Sequence, residues 1–200
     1  QLGDGTYTDS STPVQVSGVS GYGHCAAGYY HTVSLKSDGT VWAWGYNGYG
    51  QLGDGTYTDS STPVQVYDLS GATAIAAGVS HTVSLKSDGT VWAWGSNGGG
   101  QLGDGTYTDS STPVQVSGVS GYGHCAAGYY HTVSLKSDGT VWAWGYNSDG
   151  ELGNGTTTQS ATLVQVYGLS GATAIAAAHY HTVALKSDGT VWAWGSNGGG

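Results

Sequence analysis

From His31 to Leu35 and from Val41 to Trp44 the chain alternates between apolar and polar or small positions, with Asp38-Gly39 between the two runs. Period-two alternation predicts half-buried strands. An Asp-Gly pair between such runs predicts a tight hairpin, because glycine tolerates the positive φ of the turn. Read as a two-residue loop, Asp38-Gly39 pairs Ser37 with Thr40, Leu35 with Trp42 and Val33 with Trp44. One face of the hairpin then carries Val33, Leu35, Trp42 and Trp44, and the other carries Thr32, Ser34, Val41 and Ala43. Two shorter segments read as further strands. Residues 13–16 begin with a proline, which suits a strand start or an edge, and residues 24–27 are small enough to approach a crowded axis.

This pattern recurs every fifty residues without a gap. The segment 31–45 returns at 81, 131 and 181 with one change, Ala184 for Ser. Residues 1–50 and 101–150 differ only at 48 and 49, whereas 1–50 and 51–100 differ at eleven positions, so an unlike pair of units has been duplicated. The fourth unit departs most, with Glu151, Asn154, Thr157, Gln159 and Leu163. Scattered drift of this kind fits recent amplification better than consensus design.

Four short strands per unit, one bulky face and one small face predict an all-β fold. It is a β-propeller of four near-identical 50-residue, four-stranded blades, the bulky face of one fitting the small face of the next. The units 1–50, 51–100, 101–150 and 151–200 form one repeat domain, 1–200. Contact between unlike faces either closes a ring or continues as a spiral. Each terminus leaves part of a blade, so strand exchange across the termini is expected. The leading expectation is a homodimer forming an eight-bladed ring, followed by neighbouring repeats of a longer array and by a four-bladed monomer.

Composition removes several function classes. The chain has four Lys, no Arg, thirteen acidic residues and a net charge of −9. Nucleic-acid affinity comes largely from neutralised phosphates, so no nucleic-acid partner is expected, and anionic membrane surfaces are disfavoured likewise. No apolar run is long enough to span a bilayer. Scarce aliphatic residues raise disorder, but 8 Trp and 15 Tyr supply large surfaces for a core. No signal peptide is visible, and a first residue other than Met leaves both processing and excerpting as readings. Low charge with abundant Gly, Ser, Thr and Tyr points to an extracellular or cell-surface setting, with the cytoplasm left open.

The residue spacing resembles a known family. Ala-Ala-Gly-x-x-His-Thr-Val-Ser-Leu, then Asp-Gly-Thr-Val-Trp-Ala-Trp-Gly-x-Asn, then Gly-Gln-Leu-Gly-Asp-Gly-Thr is similar to the regulator of chromosome condensation repeat over all 200 residues. The resemblance implies a β-propeller, usually of seven blades. It carries less about function. The namesake's GTPase exchange and chromatin contact imply a cationic surface and an exchange-active insertion, both missing here. The family's plant ultraviolet-B receptor carries a Gly-Trp-Arg-His-Thr segment where this chain reads Gly28-Tyr29-Tyr30-His31-Thr32, so photoreception lacks its Trp and Arg.

Candidate chemistry is sparse. His31, His81, His131 and His181 recur at one strand position and are expected to pack or hydrogen-bond within their own blades. Cys25 and Cys125 replace an inward Ile and are expected as buried apolar residues. The Asn-Gly and Asp-Gly-containing loops lack the alternating carboxylates of a calcium site and read as turns. No enzyme, metal or cofactor is therefore expected.

With the strands ordered as 24–27, 31–35, 41–44 and the next unit's 63–66, the loops at 28–30 and 46–62 emerge at one end and the Asp-Gly hairpins at the other. The first end collects Tyr7, Tyr29, Tyr30, Tyr46, Tyr49, Tyr57, Tyr107, Tyr129, Tyr130 and Tyr146. Tyrosine among Gly, Ser and Asn makes adaptable binding surfaces. The expected function is a non-enzymatic scaffold or binding module recognising a protein or glycan there, the alternative being a self-assembling ring or filament with no dedicated ligand. Trp42, Trp44, Trp92, Trp94, Trp142, Trp144, Trp192 and Trp194 are expected in the core, and the four lysines at the hairpin end, paired with the nearby aspartates.

Overall fold

The structure, a computed structural model, describes residues 1–18, 20–118 and 120–199. Strands β1 (Tyr22–Ala27), β2 (His31–Lys36), β3 (Val41–Gly45) and β4 (Ser60–Gln65) form the first antiparallel sheet in that order. The second holds β5 (Ala72–Ala77), β6 (His81–Lys86), β7 (Val91–Gly95) and β8 (Ser110–Gln115). The third holds β9 (Tyr122–Ala127), β10 (His131–Lys136), β11 (Val141–Gly145) and β12 (Ser160–Gln165). Each of these blades borrows its outer strand from the following unit. The fourth has three strands, β13 (Ala172–Ala177), β14 (His181–Lys186) and β15 (Val191–Gly195). Residues 13–16, expected as a strand, are not one here, because no Trp-bearing strand lies beside them to supply ladder partners.

The hairpin register differs from the expected one by a single residue. Leu35 lies opposite Val41, Ser34 opposite Trp42, Val33 opposite Ala43 and Thr32 opposite Trp44. The loop is three residues long: Gly39 N–H donates to Lys36 O, Lys36 N–H donates to Thr40 O, and Gly39 takes φ 80°. This is a turn followed by a left-handed glycine, which accommodates one residue more than the two-residue loop. Because side chains alternate with period two, the slip moves every tryptophan to the other face. Val33, Leu35, Val41 and Ala43 thus form one aliphatic face, and Ser34, Trp42 and Trp44 share the opposite one.

The core lies between blades. The aliphatic face of blade 1 packs on Leu52, Val66, Ile75 and Trp94, that of blade 2 on Leu102, Val116, Cys125 and Trp144, and that of blade 3 on Leu152, Val166, Ile175 and Trp194. The innermost strands follow suit, β1 on β5, β5 on β9 and β9 on β13, with no comparable packing of β13 on β1. The four sheets therefore form an open arc.

Histidines tie the blades together. His31 Nε2 lies 2.9 Å from Thr82 Oγ1, whose hydroxyl donates to Gln51 O at 2.9 Å. Since the threonine proton is committed to that carbonyl, the histidine donates. The same arrangement links His81 to Thr132 and His131 to Thr182. These bonds cross to the next blade, which corrects the expectation of a bond within the blade. Burial pushes His31 and His131 down to about 4 and His81 to about 3, so all three are neutral at pH 7.

Candidate binding face at the tyrosine-bearing loops

Two kinds of loop build this end. The short turns between inner and second strands carry Tyr29-Tyr30 and Tyr129-Tyr130, and Tyr46 N–H donates to Tyr30 O, fixing the start of the long loop beside them. The long loop folds around Asn47, which is fully buried. Its Nδ2 donates to Thr56 O and Thr58 O at 3.1 Å, its Oδ1 accepts from Leu52 N–H, and its own N–H donates to Asp59 Oδ1 at 2.7 Å. Asn97 repeats this set in the next unit. One side chain thus satisfies three backbone groups that would otherwise hold the loop in water, and Asp59 satisfies a fourth. The same loops bind their own acids: Asp54 Oδ1 accepts from Thr56 N–H and Oγ1–H. Among the described residues, no three of His, Cys, Asp and Glu gather as a metal site.

Tyr7, Tyr30, Tyr46, Tyr49, Tyr129 and Tyr130 line one cavity of about 540 Å³ together with Asp59, Ser60, Val79, Ser80 and Ser96. The rings meet edge to face, Tyr29 on Tyr30 at 4.4 Å, Tyr30 on Tyr46 at 6.1 Å and Tyr46 on Tyr49 at 6.2 Å. Such contacts hold rings at right angles and leave faces open. The hydrogen bond with Tyr29 raises the Tyr30 phenol, and burial first, then Tyr129, push Tyr130 up to about 12, so these hydroxyls stay protonated at neutral pH. Among the described residues, Asp59 is the only charged side chain lining the cavity.

Four of the ten expected tyrosines lie elsewhere. Tyr29 lines a groove of about 800 Å³ along the inner strands with Gly78, Gly128 and His179. Tyr146 lines a smaller one of about 300 Å³ with Tyr130 and Gln101. Tyr57 and Tyr107 are exposed and line neither. Tyr180, stacked on Tyr129 at 5.4 Å, belongs to the same end. Its sequence signal was available, since it stands at the position of Tyr30 and Tyr130 in its unit. Asn47 and Asp59 carried none beyond turn composition.

At the opposite end the lysines differ from expectation. Lys36 Nζ sits 4.4 Å from the Trp42 ring centre, and Lys86, Lys136 and Lys186 repeat the arrangement over Trp92, Trp142 and Trp192. Only Lys186 also reaches its aspartate, at 3.5 Å from Asp188. The Asp38 carboxylate is instead taken by Thr40 N–H and Oγ1–H, which hold it below its usual range.

The core tryptophans divide by place. Trp44, Trp94 and Trp144 are buried, Trp42, Trp92, Trp142 and Trp194 are half-buried, and Trp192 is 50% exposed because no outer strand lies beside it in the three-stranded fourth sheet. Cys125 is buried and its thiol pushed up to about 11, whereas Cys25, expected buried, is exposed because among the described residues no aliphatic blade face packs on it as blade 2 packs on Cys125.

The model of the regulator of chromosome condensation (RCC1) repeat matches residues 38–85, 88–135 and 138–185, and a second model of the same repeat matches 24–51, 72–101, 124–151 and 172–200. The chain belongs to the RCC1 repeat family. No curated protein sequence matches it. Among solved structures, human WBSCR16 is similar at 27% identity and TM-score 0.84, over 96% of this chain and 52% of that one. Yeast RCC1 (Prp20), solved bound to Kap60, is similar at 27% identity and TM-score 0.76, over 88% of this chain and 44% of that one. The designed protein Ika4 shares the fold alone, at 22% identity and TM-score 0.55, over 94% of this chain and all of that one. This RCC1-repeat chain thus spans about half the length of the natural propellers it matches, and follows their arc.

Proposed function

We propose that the chain is a non-enzymatic propeller scaffold that binds a protein or glycan at its tyrosine-bearing end. The observation that carries this reading is the convergence of six tyrosines from four separate loops on one cavity, held by Asn47-centred loops on a rigid sheet framework. Exposed tyrosine faces give contact area at low entropic cost, and a loop-built cavity on a rigid scaffold is where binding residues collect. The buried titratable groups support the absence of catalysis. His31, His81 and His131 are used between blades, and Cys125 is shielded within a blade junction. Yeast RCC1 bound to Kap60 supports a protein as the ligand class. The low-charge surface favours an extracellular or cell-surface setting.

The experiment is a peptide and glycan array probed with the chain and with Tyr46→Ala and Tyr49→Ala variants. The expected result is saturable binding to at least one array member, weakened roughly ten-fold by either variant, ~1.4 kcal/mol. Tyr167→Ala, on an exposed side chain at the opposite end, leaves it unchanged. Binding insensitive to Tyr46 and Tyr49 overturns the assignment of the face.

A second reading, self-assembly, is favoured by one observation: the outward face of blade 4 leaves Leu185 and Val191 in water, 40% and 66% exposed. In this reading two chains complete an eight-bladed ring.

A further inference from the structure

We infer that blade 4 of one chain docks its aliphatic face into a groove on blade 1 of a second copy, whose residues 10–15 add the missing outer strand to β15. The inference rests on the self-assembly reading and gives it a specific junction.

The junction is already built once within the chain. Between blades 2 and 3, Val83, Leu85, Val91 and Ala93 pack on Leu102, Val116, Tyr122, Cys125 and Trp144. Blade 4 presents the same four residue types, Val183, Leu185, Val191 and Ala193, and among the described residues no sheet packs on them. Blade 1 presents an open cavity of about 510 Å³ lined by Leu2, Val16, Tyr22, Cys25 and Trp44. Each of these is the residue found a hundred positions later in the buried junction, type for type. No Asp, Glu or Lys side chain lines the cavity, although Gln1 and the His24 ring do, so closing it strands no carboxylate. A face and a groove that differ from each other yet sit on one molecule make a head-to-tail contact, which two copies complete reciprocally.

The strand follows the same template. Residues 10–15 read Ser-Ser-Thr-Pro-Val-Gln, identical to β4 and β8. In blade 2, Trp92 lies opposite Gln115, Ala93 opposite Val114 and Gly95 opposite Ser110. The same register sets Trp192 against Gln15, Ala193 against Val14 and Gly195 against Ser10 of the second copy. Thr32 Oγ1 already donates to Gln1 O, as the other junction threonines donate to their carbonyls. One element departs from the template. A Cβ at Gly128 would fall 2.3 Å from His131 Cε1, and the fourth unit has Ala178 there, so His181 must turn aside and its threonine bond is not part of the junction.

The test reads the two native thiols and the mass together. In the pair, Cys25 takes the setting of Cys125 and reacts with a thiol reagent at least roughly ten-fold more slowly than in the single chain. Leu185→Asp, at an exposed position, is expected to fold, to give the single-chain mass and to release Cys25. A two-chain mass with fast-reacting Cys25 leaves the assembly reading standing and overturns this junction. A single-chain mass in the unaltered protein overturns both. Independently of Leu185→Asp, the double variant Val14→Cys, Ala193→Cys is expected to form an interchain disulfide on mild oxidation, since paired strand positions lie within bridging distance. Its failure to cross-link within a two-chain particle overturns the register.

Discussion

Blades 3 and 4 carry nearly the same fifteen residues, His131 to Gly145 and His181 to Gly195, with Ala184 for Ser134 as the one change. Val141 is completely buried and Val191 is 66% exposed, and Leu135 is 7% exposed where its equivalent Leu185 is 40% exposed. Sequence sets the strand, the hairpin and the choice of face in both. Burial comes from the next blade. A propeller blade is therefore half a core, and its energetics belong to junctions.

The largest expected effect is acid destabilisation, because it acts at three junctions together. The folded values of His31, His81 and His131 lie below the ordinary 6.5, so the unfolded chain binds more protons. Their contribution is complete above about pH 6.5 and is lost as the pH falls toward 4, by up to about 1.4 kcal/mol per pH unit per site. Denaturant unfolding at stepped pH checks this, and His131→Gln is expected to flatten the profile by one proton. Unchanged stability between pH 6.5 and 4.5 would show that these rings are not buried.

Truncation comes next. Trp144→Ala is expected to cost about 3–5 kcal/mol, since the indole is fully enclosed and donates from Nε1 to Gln101 O at 2.9 Å. Leu135→Ala is expected to cost about 2–5 kcal/mol. Leu185→Ala is expected to cost less than ~1 kcal/mol in the unpaired chain, as partly exposed positions do. Equal losses at Leu135 and Leu185 in a single-chain particle would break the comparison. The smallest contrast concerns backbone approach. Gly128→Ala presses a Cβ against His131 and is expected to cost roughly 1–3 kcal/mol, whereas Ala178→Gly, beside an exposed histidine, is expected to change stability by less than ~1 kcal/mol. Thermal unfolding of the two variants resolves them.

The fold was legible because the repeat, the alternation and the Asp-Gly pair agree with one another. Strand order placed the tyrosines at one end and the hairpins at the other. The hairpin register was not legible, since Asp38-Gly39 serves a two- or a three-residue loop and only the Lys36–Thr40 closure decides. Asn47 reads as a turn residue, and its role depends on a loop wrapping back twelve positions to Asp59. The exposure of Cys25 and the bonds from His31 to Thr82 were hidden for one reason, that a sequence does not say which blade lies alongside. Six tyrosines share one cavity, while Tyr57 and Tyr107 stand apart because the long loop turns them outward.

If burial belongs to junctions, the open faces of blades 1 and 4 complete each other, and molar mass in solution tests this most directly. Light scattering across a tenfold range of concentration is expected to approach twice the chain mass of 20.3 kDa. A discrete particle that stays at 20.3 kDa throughout would contradict it.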